Sequence, residues 1–233
     1  LLTSDKKYRA RLRLGIRTAS GDADSAIVEE RSTKGVTLDR IQNALGSFRG
    51  EIDQVPSMYS AIKHRGKPLY KYARQGVEVE RESRRITVYS IELLTFSGSE
   101  ITLEVHSSKG TYVRTIADDL GEQLGCGAHV AELRRLMAGP FTESDLVTFD
   151  EIETARAEGR LDMLLAPISS AVSQWPAVRL NTTSAYYLRQ GQPVVVPHAP
   201  SEGWVQLRES CLNDEWFLGM GEIMEDGRVA PRR

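Results

Sequence analysis

From Lys7 to Leu14 the chain alternates: Tyr8, Ala10, Leu12 and Leu14 fall on one side, Lys7, Arg9, Arg11 and Arg13 on the other. A period of two predicts a half-buried strand. GIRTASGDADSA follows and reads as a polar loop. Thr37 then caps a predicted helix whose apolar face is Leu38, Ile41, Leu45 and Phe48. ITVYSIELL and ITLEVH read as two more strands, the second ending near His106. Residues 107–111 turn the chain into a helix marked by Val113, Ile116, Ala117, Leu120 and Leu124 and stopped at Gly125-Cys126-Gly127. Thr148 with Glu151 forms a capping box that starts another helix, and RLDMLLAPISSAV reads as a further helical stretch. After Trp175-Pro176 the pattern becomes short strands (VRL, PVVV, WVQLRE, EWFLGMGEIM) separated by QGQP, HAPSEG, LNDE and EDGR. That texture predicts a small barrel or sandwich. The fold class expected is α+β: a mixed sheet with flanking helices over 1–175, then an all-β domain over 176–233.

Composition adds bounds. At 233 residues, 40% hydrophobic and 27% charged, the chain can bury a sizeable core. A net charge of -2 means that nucleic-acid binding has to rest on local charge. Cys126 and Cys211 lie far apart without a CxxC spacing, which predicts a reduced, cytoplasmic protein without structural zinc. No apolar run approaches the roughly 20 residues of a membrane helix. The chain opens Leu-Leu-Thr-Ser, without Met, and enters a strand almost at once, so a missing beginning is expected.

Local charge is concentrated in 57–85, where eight Lys/Arg face three Glu and Tyr59, Tyr70 and Tyr72 are interleaved. Cations can track a phosphate backbone while aromatic rings stack on unpaired bases, a pattern suited to RNA loops. A solvated insertion of the same composition is equally open, and the basic side of 7–13 reads as the wet face of a sheet. Arg114 stands in the first turn of its helix, the end where the dipole favours carboxylates. Spacing alone leaves it a surface arginine and Tyr112 a packing residue. Lys109-Gly110-Thr111 lacks the Gly-x4-Gly-Lys-Ser/Thr spacing of an ATP-binding loop. His64, His106, His129 and His198 lack metal-ligand spacing, and Asp118 and Asp119 point about 100° apart on a helix, a poor acid-base pair.

Several segments together resemble a known family: DKKYRARLRLG, RTASGDAD, VPSMYSAIKHRGKPLYKYARQGVEV and SSKGTYVRTIADDLGEQLGCGAHVAELRRL. They are similar to the bacterial TruB family of tRNA pseudouridine synthases, which convert the uridine at position 55 of the TΨC loop. GMGEIMEDGRVAPRR resembles the family's C-terminal PUA-like RNA-binding domain. The resemblance implies that Tyr8 stacks on the target base and takes the proton from C5, that Tyr112 lines the uridine pocket, and that Leu133 packs on the base. It implies that Arg114 pairs with the catalytic aspartate and that 57–85 is a thumb closing over the T-arm. Lys63, Arg65, Lys67, Lys71, Arg74 and Lys109 are the expected RNA contacts. Neither metal nor cofactor is called for, and a monomer with tRNA as its partner and no protein partner is expected. The family's Gly-x-Leu-Asp-Pro-x-Ala-Thr-Gly motif is not within 1–233; the Leu-Asp pairs are Leu38-Asp39 and Leu161-Asp162, neither followed by Pro. Arg114's carboxylate is therefore expected outside this chain, which should not turn over alone. The alternative is a non-catalytic tRNA-binding or tRNA-folding module.

Overall fold

The computed structural model describes residues 1–211 and 214–232. By contacts the chain divides into two compact units, Leu1–Gly139 and Pro140–Arg233.

The first unit contains β1 (Lys6–Leu14), β2 (Ile16–Thr18), β3 (Ile27–Glu30), α1 (Leu38–Gly46) and β4 (Gly50–Gln54). It continues through β5 (Lys63–His64), β6 (Lys67–Pro68), α2 (Leu69–Ala73), β7 (Arg84–Ser97), β8 (Glu100–Ser107), α3 (Val113–Leu124) and β9 (Ala128–Ala138). Its sheet runs in the order β9-β1-β8-β7-β4, antiparallel throughout. The alternation of β1 does what its pattern predicts. Ala10, Leu12 and Leu14 are buried in one core cluster with Ile41 and Leu45 of α1 and Ile116, Ala117 and Leu120 of α3.

On the opposite face the cations of β1 meet acids from neighbouring strands. Glu104 takes Lys7 at 3.0 Å and Arg9 at 3.5 Å, Glu100 takes Arg11 at 3.1 Å and Arg13 at 2.8 Å, and Arg11 also reaches Glu132. These exposed pairs are worth little individually, but they neutralise the row. It is the wet side of a sheet.

Thr37 caps α1 by accepting from the Arg40 N–H, and α3 ends at Gly125, whose φ of 81° is the left-handed conformation glycine allows. The chain then folds straight back into β9, and Gly121 is what makes the return fit. A Cβ there would lie 2.2 Å from the Ala128 nitrogen and 2.3 Å from the Gly127 carbonyl carbon. Both neighbours are backbone and cannot swing aside. Gly121→Ala is expected to destabilise the fold by roughly 1–3 kcal/mol or more through overpacking, read as a lower midpoint in urea with an unchanged m-value.

In the second unit, β10 (Phe141–Thr142) precedes α4 (Phe149–Ala157), whose Thr148–Glu151 capping box forms as predicted. The helical stretch expected over 160–172 is corrected. It is two 3₁₀ turns, Leu161–Leu164 and Ile168–Val172, because Pro167 removes an amide donor and biases the residue before it to extended backbone. β11 (Ala177–Leu180), α5 (Thr182–Arg189), β12 (Gly203–Cys211), β13 (Asp214–Ile223) and β14 (Val229–Arg232) complete the chain. Their sheet runs β11-β12-β13-β14, with β11 parallel to β12 and the other pairs antiparallel.

Helix α5 was not anticipated. Asn181 caps it by accepting from the Ser184 N–H, and it buries Ala185 and Leu188. The stretch PVVV is not a strand: Val194 makes a single bridge to Val229. Of the predicted LNDE turn, Leu212 and Asn213 lie outside the described residues. No described helix is long and apolar enough to cross a membrane.

Candidate active site

Four pieces of the first unit meet around Arg114: the loop between β2 and β3, the first turn of α3, the end of β4, and the segment that follows β4. The loop is held by its own hydroxyls. Ser20 Oγ accepts from the Asp22 N–H at 3.1 Å, and Thr18 Oγ1 donates to the Asp22 carbonyl at 2.8 Å. It is tied to β9 by the Val130 N–H donating to the Gly21 carbonyl at 2.8 Å and the Ala23 N–H donating to the Val130 carbonyl at 3.0 Å. At Gly21 the backbone has φ +81°, and a Cβ would already touch Arg114 Cβ at 3.3 Å. Glycine there lets the loop lie against α3 and brings the next residue to the arginine.

Arg114 therefore has a carboxylate within this chain. Its Nη1 donates to Asp22 Oδ2 at 2.9 Å, while Nη2 donates to the Tyr59 carbonyl at 3.1 Å. The expectation that Arg114 stands without a charge partner in residues 1–233 is corrected by this ion pair, which does not bear on the family's catalytic aspartate. The residues 15–26 read as a polar loop, and only the pairing of that loop with β9 reveals that one of its aspartates reaches the helix. Beside it, Arg17 grips Asp118 of α3 through Nε and Nη2, at 2.8 and 3.1 Å, and reaches Glu122 at 3.1 Å. Asp118 is thus the partner of an arginine, and Asp119 next to it is held above its ordinary pKa by burial, with Asp118 and Glu122 adding to the shift.

Asp22 is likewise raised above the usual aspartate value. Burial is the larger cause, opposed by the charge and hydrogen bond of Arg114. A carboxylate whose folded pKa is raised takes up its proton before the unfolded chain does. This group therefore adds stability as pH falls from its folded pKa towards the ordinary value near 3.9, and costs stability above that window. A carboxyl-carbon NMR titration should put the Asp22 midpoint above that of an unfolded peptide. Arg114→Gln should move it further upward, since the opposing charge is gone. A midpoint at or below the peptide value would contradict the environment described.

The cleft beside these residues has a volume of about 550 Å³, with Arg17, Ser20, Tyr59, Arg81, Arg114 and Asp119 among its walls. Tyr8, Tyr112 and Leu133 do not line it. Tyr8 is half-buried against the core cluster, opposite Arg135 of β9 and Val105 of β8. Leu133 lies opposite Ala10 and is 48% exposed. Directly opposed residues of an antiparallel pair share a face, so Leu133 and Tyr8 stand on the same side of the sheet. Tyr112 is the half-buried N-cap residue of α3, and its side chain makes no cap.

The basic stretch folds as a small hairpin and helix. Arg65 (φ 47°) and Gly66 (φ 80°) form the two-residue turn between β5 and β6, both in the left-handed region that such tight turns use. Lys63, Arg65, Lys71, Arg74 and Lys109 are exposed. Lys67 is half-buried, 4.6 Å from the centroid of Tyr72 and bonded to Gln75 at 2.8 Å, while the Arg74 guanidinium lies 5.4 Å from the Tyr70 ring. Among the described residues no three His, Cys, Asp or Glu side chains gather as a metal site.

The family model described as "TruB family pseudouridylate synthase (N terminal domain)" matches residues 1–113. "tRNA pseudouridylate synthase B C-terminal domain" matches 114–173, and "Pseudouridine synthase II TruB, C-terminal" matches 176–233. The chain is 53% identical to tRNA pseudouridine synthase B of Yersinia pestis (strain Pestoides F), covering 100% of this chain and 74% of that protein. It is 50% identical to the protein of the same name from Coxiella burnetii (strain Dugway 5J108-111), covering 100% and 75%. Among solved structures, a chain of "Crystal Structure of a Cbf5-Nop10-Gar1 Complex" superposes with a TM-score of 0.71 at 25% identity, covering 100% of this chain and 67% of that one. Fold and relatives together define an RNA-modifying isomerase, a pseudouridine synthase with tRNA as substrate. The chain belongs to the TruB family.

Proposed function

We propose that this chain binds the T-arm of tRNA and holds the uridine at position 55 of the TΨC loop for conversion to pseudouridine. The observation that carries the proposal is Arg114, which stands in a cleft at the start of α3 with one arm on a carboxylate and the other on the segment that opens the basic stretch. Isomerisation breaks the bond from C1′ to N1, turns the uracil and joins C5 to C1′, with the proton at C5 lost and a proton gained at N1. The base has to leave its loop stack to be reached. By the family resemblance Tyr8 stacks on the base and takes its C5 proton, Tyr112 lines the uridine pocket and Leu133 packs on the base, although none of the three lines the cleft beside Arg114. Arg114 helps keep the family's nucleophilic aspartate, a carboxylate other than Asp22, ionised, since a neighbouring cation favours the charged form.

Residues 57–85 act as a thumb whose exposed cations follow the T-arm backbone, and 176–233 form a PUA-like domain that adds RNA contact. The protein works as a cytoplasmic monomer. The Leu-Asp-Pro motif that supplies the family's nucleophile is not within residues 1–233. A polypeptide of these residues alone is accordingly expected to bind tRNA without turning it over. The same sequence fact favours a second reading, a non-catalytic tRNA-binding module. Tritium release from unmodified tRNA labelled at C5 of uridine separates the two. The full-length gene product should release it, and a product that binds the T-arm but releases none would leave only the second reading.

A further inference from the structure

The last residue of β4 is a glutamine with almost no access to solvent. Gln54 is 3% exposed, one of the few buried polar side chains in the first unit. Its amide faces the backbone of Tyr112, 58 residues away, as a neighbouring strand would. Gln54 Nε2 donates to the Tyr112 carbonyl at 3.1 Å, and Gln54 Oε1 accepts from the Tyr112 N–H at 2.8 Å. That carbonyl also takes the Thr115 N–H at 3.1 Å and the Ile116 N–H at 3.2 Å, so it is the oxygen on which the first turn of α3 is built. Helix starts leave amide groups without partners unless something outside supplies them. Here neither a side-chain cap nor an acidic residue in the first turn does so. At its N-cap residue the start of α3 is tied to β4 by the Gln54 amide.

We infer that Gln54 is a positioning residue for the isomerisation: its amide fixes the backbone of Tyr112 and, through the first turn of α3, the direction from which Arg114 enters the cleft. Gln54 is not among the residues that line the cleft. Its second feature is its place in the chain, since the segment that begins at Val55 reaches Arg114 through the Tyr59 carbonyl at 3.1 Å. One end of β4 thus holds the helix start at Tyr112 and launches the segment that holds the arginine. The inference rests on the roles proposed above for Tyr112 and Arg114.

Gln54→Leu and Gln54→Glu in the full-length enzyme test it, read by single-turnover rate at saturating tRNA, tRNA affinity and amide exchange at Tyr112. Leucine fills the space and offers no hydrogen bond. It should lower the rate roughly 10- to 100-fold, the scale of a misplacement of about 1 Å, with affinity nearly unchanged and exchange at Tyr112 accelerated. Glutamate distinguishes positioning from general damage. Ionised, it still accepts from the Tyr112 N–H but sets an oxygen against the Tyr112 carbonyl; protonated, it donates there as glutamine does. The ratio of its rate to that of the wild type should therefore rise as pH falls. A Gln54→Leu enzyme at wild-type rate, or a Gln54→Glu enzyme whose ratio is flat with pH, would overturn the inference while the site reading stands. Should Gln54→Leu fail to fold, the pH dependence of Gln54→Glu decides alone. A wild-type enzyme that makes no pseudouridine would overturn the site reading, and this inference with it.

Discussion

Replacing Arg114 by alanine should reduce turnover of the full-length enzyme by about 10²–10³-fold, the scale seen when one preorganised charged or hydrogen-bonding group is removed from an active site. Affinity for tRNA should change far less. Its guanidinium is engaged on Asp22 and on the Tyr59 carbonyl, and it lies in the cleft rather than on the exposed cationic surface. Removing it leaves Asp22, already held above its ordinary pKa by burial, without the cation that offsets that burial. Arg114→Lys should recover little. A lysine carries one point of charge and cannot address a carboxylate and a carbonyl through two arms of a planar fork. Equal losses of rate and affinity in the alanine enzyme would show that Arg114 is chiefly an RNA contact.

The second large effect belongs to the hairpin of the basic stretch. Reversing Lys63 and Arg65 together, Lys63→Glu with Arg65→Glu, should weaken tRNA binding by at least about tenfold at low salt. It should also flatten the salt dependence, because each phosphate contact contributes a slope of about 0.7–0.9 in log-log form. Both residues are exposed, and Arg65 stands at the tip of the turn between β5 and β6. Lys67 is a weaker choice for such a test, since its ammonium already lies over Tyr72 and bonds Gln75. The rate for bound tRNA should be nearly unaffected. A rate defect at unchanged affinity would remove the hairpin from the RNA-binding surface.

The elements that local pattern specifies were legible. The alternation of β1, the Thr37 and Thr148 caps, and the stop at Gly125 each rest on residues within a few positions of one another. Other features depend on chain segments meeting across long separations. Asp22 looked like any aspartate of a polar loop until the loop paired with Val130 and brought it to Arg114. Gln54 carried no reading from the sequence, and nothing near it in the chain signals the backbone it binds. In the second unit, Pro167 divided a stretch that looked helical, while Asn181 opened a short helix inside a stretch expected to be all-β. Family resemblance pointed to Tyr8, Tyr112, Arg114 and Leu133. Arg114 lines the cleft, and Tyr8, Tyr112 and Leu133 do not.

Nucleotide-resolution mapping of pseudouridine in an unmodified tRNA, after incubation with the full-length gene product, tests the central claim most directly. Conversion should occur at the single uridine at position 55 of the TΨC loop, and should be lost with Arg114→Ala while the tRNA remains bound. Conversion elsewhere, or none by an enzyme that binds the T-arm, would contradict the account.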